Sequence, residues 1–334
     1  MDTIITGSAF GASLAASGMY EPYLIASQFT LQKWNMVQTF LTATGCSALT
    51  IELLRRLGHP VPPPRSWSPT GITGSPIDGN VLGGLLLGAG MSLSSSCPGM
   101  VFPQIALGIP SAPAIIAGAS VGGICWSAVL RPWIAARRKQ TTITNTTPPP
   151  EVSLAGFLGT RHTTALVAYG TALATIVAVV ALRMPSASSP LHPVTGGLVI
   201  GAAQAVSLLL RGSLLGVSTC YEQLGDWIVW LARGRRQARP GSSAVLFAAA
   251  MAAGTWLLAR LGPGWVLTET AAAGVMSPAK AFAGGFLMAV GSRMAGGCAS
   301  GHGISGMALM SMSSLVTMAC VFAAAIGVSR VTGV

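Results

Sequence analysis

The sequence predicts an all-α integral membrane protein of about nine transmembrane helices, arranged as two inverted repeats with broken or re-entrant helices. Three observations predict it. Of 334 residues, 51% are hydrophobic and 8% charged, with a mean hydropathy of +0.64, which leaves too little polar surface to coat a soluble globule of this size. The apolar residues gather into windows, most of them close to the ~20 residues that cross a ~30 Å hydrocarbon core. One motif also occurs twice: Gly83, Gly84, Leu86, Gly90 and Cys97 recur as Gly284, Gly285, Leu287, Gly291 and Cys298, all at one offset of 201.

Taken in order, the windows fall near 4–26, 34–57, 79–97, 113–135, 163–183, 193–211, 243–261, 281–297 and 306–328. The first lacks a basic segment before it, so it reads as a retained helix rather than a cleaved signal. Windows 79–97 and 281–297 are short and interrupted by glycine. Each runs into a cysteine turn, Ser94-Ser95-Ser96-Cys97-Pro98-Gly99 and Gly296-Gly297-Cys298-Ala299-Ser300-Gly301, and reads as a helix that breaks inside the membrane at a thiol. The stretch 212–231 is apolar but is expected to be re-entrant, because a full crossing would put the basic run Arg233–Arg239 on the wrong side. Pro60 to Pro76 reads as an ordered or polyproline-like loop.

The net charge of +11 does not point to nucleic acid. Twelve of the nineteen basic residues, among them Arg55, Arg56, Arg65, Arg131, Arg137 and Arg233, fall on alternate connections, and the opposite connections and the chain end hold five. That asymmetry predicts a multi-pass protein of the plasma membrane with a cytoplasmic N-terminus and an external C-terminus.

The repeat extends beyond the cysteine turns. Gly7, Gly11, Ala12, Ala15 and Ser17 match Gly197, Gly201, Ala202, Ala205 and Ser207 at offset 190, and Tyr20-Glu21 matches Tyr221-Glu222 at offset 201. The glycines four apart read as packing faces. The expected organisation is a first repeat over 1–135 with four spans, a polar linker and connecting helix over 136–192, and a second repeat over 193–334 with four spans. Five crossings before the second copy begins would invert it, and inverted repeats place a site near the midplane between broken helices.

The chemistry is expected at the breaks. A cysteine in an apolar setting stays a neutral thiol, a weak S–H donor that can hold an anion loosely enough to release it. After Cys97 and Cys298 the chain should restart as half-helices whose free N–H groups favour anions. Gly99, Gly297, Gly301 and Gly303 would let that backbone approach a ligand, and Ser96, Ser300 and Ser305 add hydroxyls. His302 reads as a donor to the anion or a cap for the broken helix, and a metal site with the cysteines is disfavoured. Arg293, inside an apolar window, is a functional candidate by position. Cys46, Cys125 and Cys320 lie inside ordinary spans and read as small packing residues.

Ser-Cys-Pro-Gly at 96–99 and Gly-Gly-Cys-Ala-Ser-Gly-His-Gly-Ile-Ser-Gly at 296–306 closely resemble the YeeE/YedE family of sulfur transporters. The resemblance implies thiosulfate uptake through an hourglass-shaped protein in which Cys97 and Cys298 pass the anion inward at constrictions. Family members carry a further cysteine near the first break of the first half. Here that place holds Met19, and its repeat mate is Cys220, which could serve instead. A sulfur-carrier or sulfurtransferase partner is expected on the cytoplasmic side, with no resident cofactor. The chain carries no phosphate-loop motif for nucleotide hydrolysis. The competing readings are transport of another sulfur or selenium species, a membrane persulfide enzyme with Cys298 as nucleophile and His302 as base, and a structural subunit.

Overall fold

The computed structural model describes residues 1–144, 150–187, 189–235, 238–266 and 276–333. Part of the expected linker, 145–149, and the basic residue Arg236 lie outside the described residues.

The first window, expected as one span over 4–26, is two helices, α1 (Asp2–Ala16) and α2 (Pro22–Phe29). The cause is local. Gly18 takes φ of +72°, and Pro22 opens α2 at a position that needs no amide hydrogen. α3 (Asn35–Arg56) is continuous, and after a loop come α4 (Asp78–Ser94) and the short α5 (Val101–Ala106). α6 (Ala112–Cys125) runs through a π-helical turn into α7 (Arg131–Thr144). The one-turn α8 (Leu154–Phe157) leads to α9 (His162–Arg183), which packs mainly against α3.

The second half repeats the order. α10 (Pro193–Arg211) is followed by an irregular segment and α11 (Thr219–Ala232), then α12 (Ser243–Leu261) and α13 (Pro278–Met294). A π-helical segment, Ser300–Gly306, precedes α14 (Met312–Thr332). Six helices among the described residues are long and apolar enough to cross a bilayer: α3, the α6–α7 rod, α9, α10, α12 and α14. α4 and α13 have 17 residues each, as their short, glycine-interrupted windows predict.

α4 and α13 form the centre. A methyl group at Gly83 would sit 2.7 Å from the Gly291 carbonyl, and one at Gly284 would sit 2.8 Å from the Gly90 carbonyl. The two helices therefore cross antiparallel with their backbones in contact, which only glycine at these four levels permits. Around them α13 packs on α6 and α4 on α14, while α1 packs on α12 and α10 on α3. Gly7 and Gly11 lie against the backbone of Phe247 and Met251, and Gly197 and Gly201 against Thr42 and Cys46, so these pairs are the packing faces their spacing predicts. Exchanging α1 with α10, α3 with α12, α4 with α13 and α6 with α14 returns the same set of contacts.

Candidate functional site

Both glycine-rich helices end at their cysteines. α4 stops at Ser95, which adopts the left-handed region at φ of 44°. The turn beyond it is tied down by one side chain: Gln104 Nε2 donates to the carbonyls of Tyr20 (2.8 Å) and Ser95 (3.3 Å), and its Oε1 accepts from Ser96 Oγ (2.7 Å). Ser96 is thus a strut of the turn. Cys97 is 2% exposed, and its sulfur accepts from the Met100 amide at 3.4 Å. Tyr221, from the other half of the chain, donates its hydroxyl to the Pro98 carbonyl at 2.8 Å.

α13 stops at Met294, and Gly296 turns the chain with φ of +81°. Its last carbonyls are unpaired by the helix and must find donors elsewhere. Each does: Met294 accepts from Ser68 Oγ (2.8 Å), Ala295 from His302 Nε2 (3.1 Å) and Asn80 Nδ2 (3.3 Å), and Gly296 from Arg65 Nη1 (3.0 Å). Because a carbonyl only accepts, His302 carries its proton on Nε2, and Nδ1 accepts from Ser314 Oγ at 2.9 Å. Of the two roles open to His302, the cap is the one its ring performs. Both nitrogens are engaged, so it is not positioned as a base for Cys298.

Cys298 is 1% exposed but borders a cavity of about 250 Å³ whose wall includes Arg65, Arg211, Arg293, Ser218 and Gly301. Its sulfur lies 3.2 Å from Ser300 Oγ, and the backbone amides of Val217, Ser218 and Gly301 are its other polar neighbours. This is not the apolar setting expected for a central thiol. Amides, a hydroxyl and guanidinium groups all favour negative charge there, on a bound anion or on the sulfur. Gly297 is required by crowding, since a Cβ would approach Arg65 Nη1 to 2.9 Å and His302 Nε2 to 3.0 Å. At Gly99 a Cβ would be 3.4 Å from Val217 Cγ2 and 3.8 Å from Ser300 Oγ, so the two cysteine turns face each other.

The three cavity arginines are held differently. Arg293 forms an ion pair with Glu222 Oε2 and reaches Thr219 Oγ1 at 3.4 Å. Glu222 and Asp226 are further held by Arg131 at 2.9 and 2.6 Å, so this acidic pair is charge-compensated. Arg211 stacks over the Phe247 ring at 4.7 Å. Arg65 comes from the proline-rich loop; its carbonyl accepts from Ser311 and Ser313 at 2.9 Å each, and its buried Nε has no partner among the described residues. Composition assigned Arg65 only to a basic loop. The local signal that could have marked it is the rigid Pro62-Pro63-Pro64 run directly before it, followed by the hydroxyls of Ser66, Ser68 and Thr70.

Cys220 is buried on the first turn of α11 and is not part of the cavity wall, while Met19 is a fully packed core side chain. Cys46, Cys125 and Cys320 are half-buried, and Cys46 and Cys320 lie against Gly201 and Gly84 at helix crossings, as packing residues do.

No curated protein sequence matches the chain. The family model described as "Sulphur transport" matches residues 16–327. Both cysteine turns, the arginine-lined cavity and the antiparallel glycine crossing fall within that match, and the chain belongs to the sulphur transport family.

Proposed function

We propose that this protein imports a sulfur-containing anion, thiosulfate in the first instance, by relay between Cys97 and Cys298. The observation that carries the reading is the cavity at Cys298, bordered by three arginines, where amide and hydroxyl donors gather around the thiol. Such donors recognise a small oxyanion, and the adjacent sulfur offers a soft contact for the anion's own sulfur. Arg65 supplies a charge that no carboxylate among the described residues pairs, and Arg293, already shared with Glu222, tunes the rim.

The reading includes two repeats, 1–135 and 193–334, joined by 136–192 and inverted relative to each other. The antiparallel crossing of α4 and α13 and the exchange symmetry of the helix contacts support this. Arg65 on the proline-rich loop, Arg211 at the end of α10 and Ser243 at the start of α12 border the cavity on the side of the basic connections. On the positive-inside count the cavity therefore opens to the cytoplasm of a plasma-membrane protein, where a sulfur carrier or sulfurtransferase would collect the anion. The anion enters from the Cys97 side, meets Cys97, crosses to Cys298 and leaves through the cavity, and Cys220, two residues past Ser218 and behind the cavity wall, is a further thiol near that path.

Labelled thiosulfate uptake into proteoliposomes tests the reading. Wild-type protein is expected to accumulate label and Cys298→Ser to lose it; a well-folded wild type that takes up none, while taking up sulfite or selenite, would reassign the substrate. The donor ring around Cys298 favours a second reading, a persulfide-forming enzyme, because it suits a nucleophilic sulfur as well as an anion. Mass spectrometry of protein incubated with thiosulfate separates the two: a sulfur atom retained on Cys298 supports the enzyme, and an unmodified thiol after many transport cycles supports the relay.

A further inference from the structure

Glu21 and Glu222 match at offset 201, each following a tyrosine: Glu21 precedes α2 as its N-cap, and Glu222 lies in the first turn of α11. Glu222 is compensated twice, by Arg293 and by Arg131. At offset 201 the first half is stripped of that charge: Ser92 stands where the second half has Arg293, and Ile25 where it has Asp226. α2 nevertheless packs against α4 as α11 packs against α13.

The consequence is a buried acid with nothing to balance it. Glu21 is 2% exposed, and neither carboxylate oxygen has a hydrogen-bond partner among the described residues; Ser92 Oγ is likewise buried and unpartnered. The Tyr23 amide points toward the carboxylate without meeting hydrogen-bond geometry. α2 packs against α3, α4 and α14. On α3, Glu52 pairs with Arg55 and Arg56 in the last turns, and Cys46 is a neutral thiol site of packing. On α4, Asp78 accepts from the Thr70, Ile72 and Thr73 amides at the opposite end from Ser94. On α14 the titratable groups are Cys320 and, in the last turn, Arg330; Lys33 follows α2. None of these forms an ion pair or hydrogen bond with Glu21 among the described residues.

An ionised carboxylate in a low-dielectric site costs several kcal/mol unless it is paired, whereas the protonated acid carries no charge to bury. The same charge would repel an anion at this depth. Glu21 is also tied to the cysteine turn, because Gln104 bridges the Tyr20 carbonyl, next to Glu21, and the Ser96 hydroxyl, next to Cys97. We propose that Glu21 is a proton-binding site that couples anion import to proton entry, a proposal that rests on the sulfur-anion reading. The carboxylate takes up one proton from the side opposite the arginine-lined cavity, is neutral while the anion passes Cys97, and releases the proton to the cavity side once the anion has left. Each cycle then moves one proton with one anion, and no bond other than O–H is made or broken.

Two measurements test it with the full-length protein. Infrared difference spectroscopy of wild type against Glu21→Gln, with no anion added, is expected to show a protonated-carboxyl band that the variant lacks; absence of that band across neutral pH overturns the proposal even if thiosulfate is transported. In proteoliposomes, an acid-outside gradient of one pH unit is expected to raise wild-type thiosulfate accumulation about tenfold for each coupled proton. Glu21→Gln loses that response in whatever uptake remains, and Glu21→Asp retains it. Wild-type uptake that ignores the gradient overturns the coupling. A Glu21 band in a protein that takes up neither thiosulfate nor sulfite sinks the sulfur-anion reading while the proton site stands.

Discussion

Cys97 and Cys298 each follow a glycine-rich helix of 17 residues, and both sulfurs are almost inaccessible, at 2% and 1% exposure. Their surroundings part from there. The Cys97 turn is closed by neutral groups: one glutamine, one serine, and a tyrosine reaching across from the other half. The Cys298 turn is closed by a guanidinium, a histidine and an asparagine, and opens on a cavity bordered by three arginines. Two glycine-rich helices of equal length thus lead to buried thiols in different electrostatic surroundings. On the proposed reading the neutral turn is a constriction and the charged one a binding site.

The strongest way to break this comparison is to remove the thiols. Cys97→Ala and Cys298→Ala are each expected to abolish thiosulfate uptake with membrane expression unchanged; wild-type rates in both variants would end the relay. Next comes the charge. Arg65→Ala is expected to raise the half-saturating anion concentration about tenfold to a hundredfold, the ~1.5–3 kcal/mol of a hydrogen bond to a charged group. Arg65→Lys should fall between, since an ammonium cannot donate to the Gly296 carbonyl and the cavity at once in the guanidinium's planar geometry. Equal transport kinetics in Arg65→Ala and wild type would make the second turn no more a binding site than the first.

Gln104→Ala probes the neutral turn. It removes three hydrogen bonds and leaves the Tyr20 and Ser95 carbonyls buried, so a loss of about 1–3 kcal/mol in stability is expected, read as a lower unfolding temperature in detergent. Its anion affinity should remain near wild type, the opposite of the Arg65 pattern. The smallest effect is expected from Cys46→Ala, with uptake within about twofold of wild type. Its thiol packs beside Gly201 at the α3–α10 contact, away from both turns.

Some of this was legible in the chain. The glycines four apart at Gly7/Gly11 and Gly197/Gly201 predicted packing faces, and they do lie against Phe247, Met251, Thr42 and Cys46, whereas the crossing of Gly83 and Gly90 with Gly291 and Gly284 was not read. The cysteine turns were visible as breaks, and Arg293 was singled out by its apolar window. The first span was read as continuous over 4–26, although Gly18 and Pro22 break it, because the window's hydropathy outweighed two residues that act through backbone geometry. Arg65 was missed because a basic residue in a polar loop looks solvated until the loop is seen folded onto the end of α13, some 230 residues along the chain. His302 was read with two roles because spacing places a ring near a thiol but does not say which atoms its nitrogens meet.

By itself the sequence determined the solvent, the order of most apolar segments and the family. These are sums and spacings along the chain, set by side-chain transfer to lipid and by backbone preference, and they survive whatever the segments later touch. Only the tertiary structure decided which thiol faces the arginines, which carboxylate is paired and which is left alone. Those outcomes depend on distances between residues far apart in the chain, and in a low-dielectric interior a few ångströms separate a compensated charge such as Glu222 from an isolated acid such as Glu21.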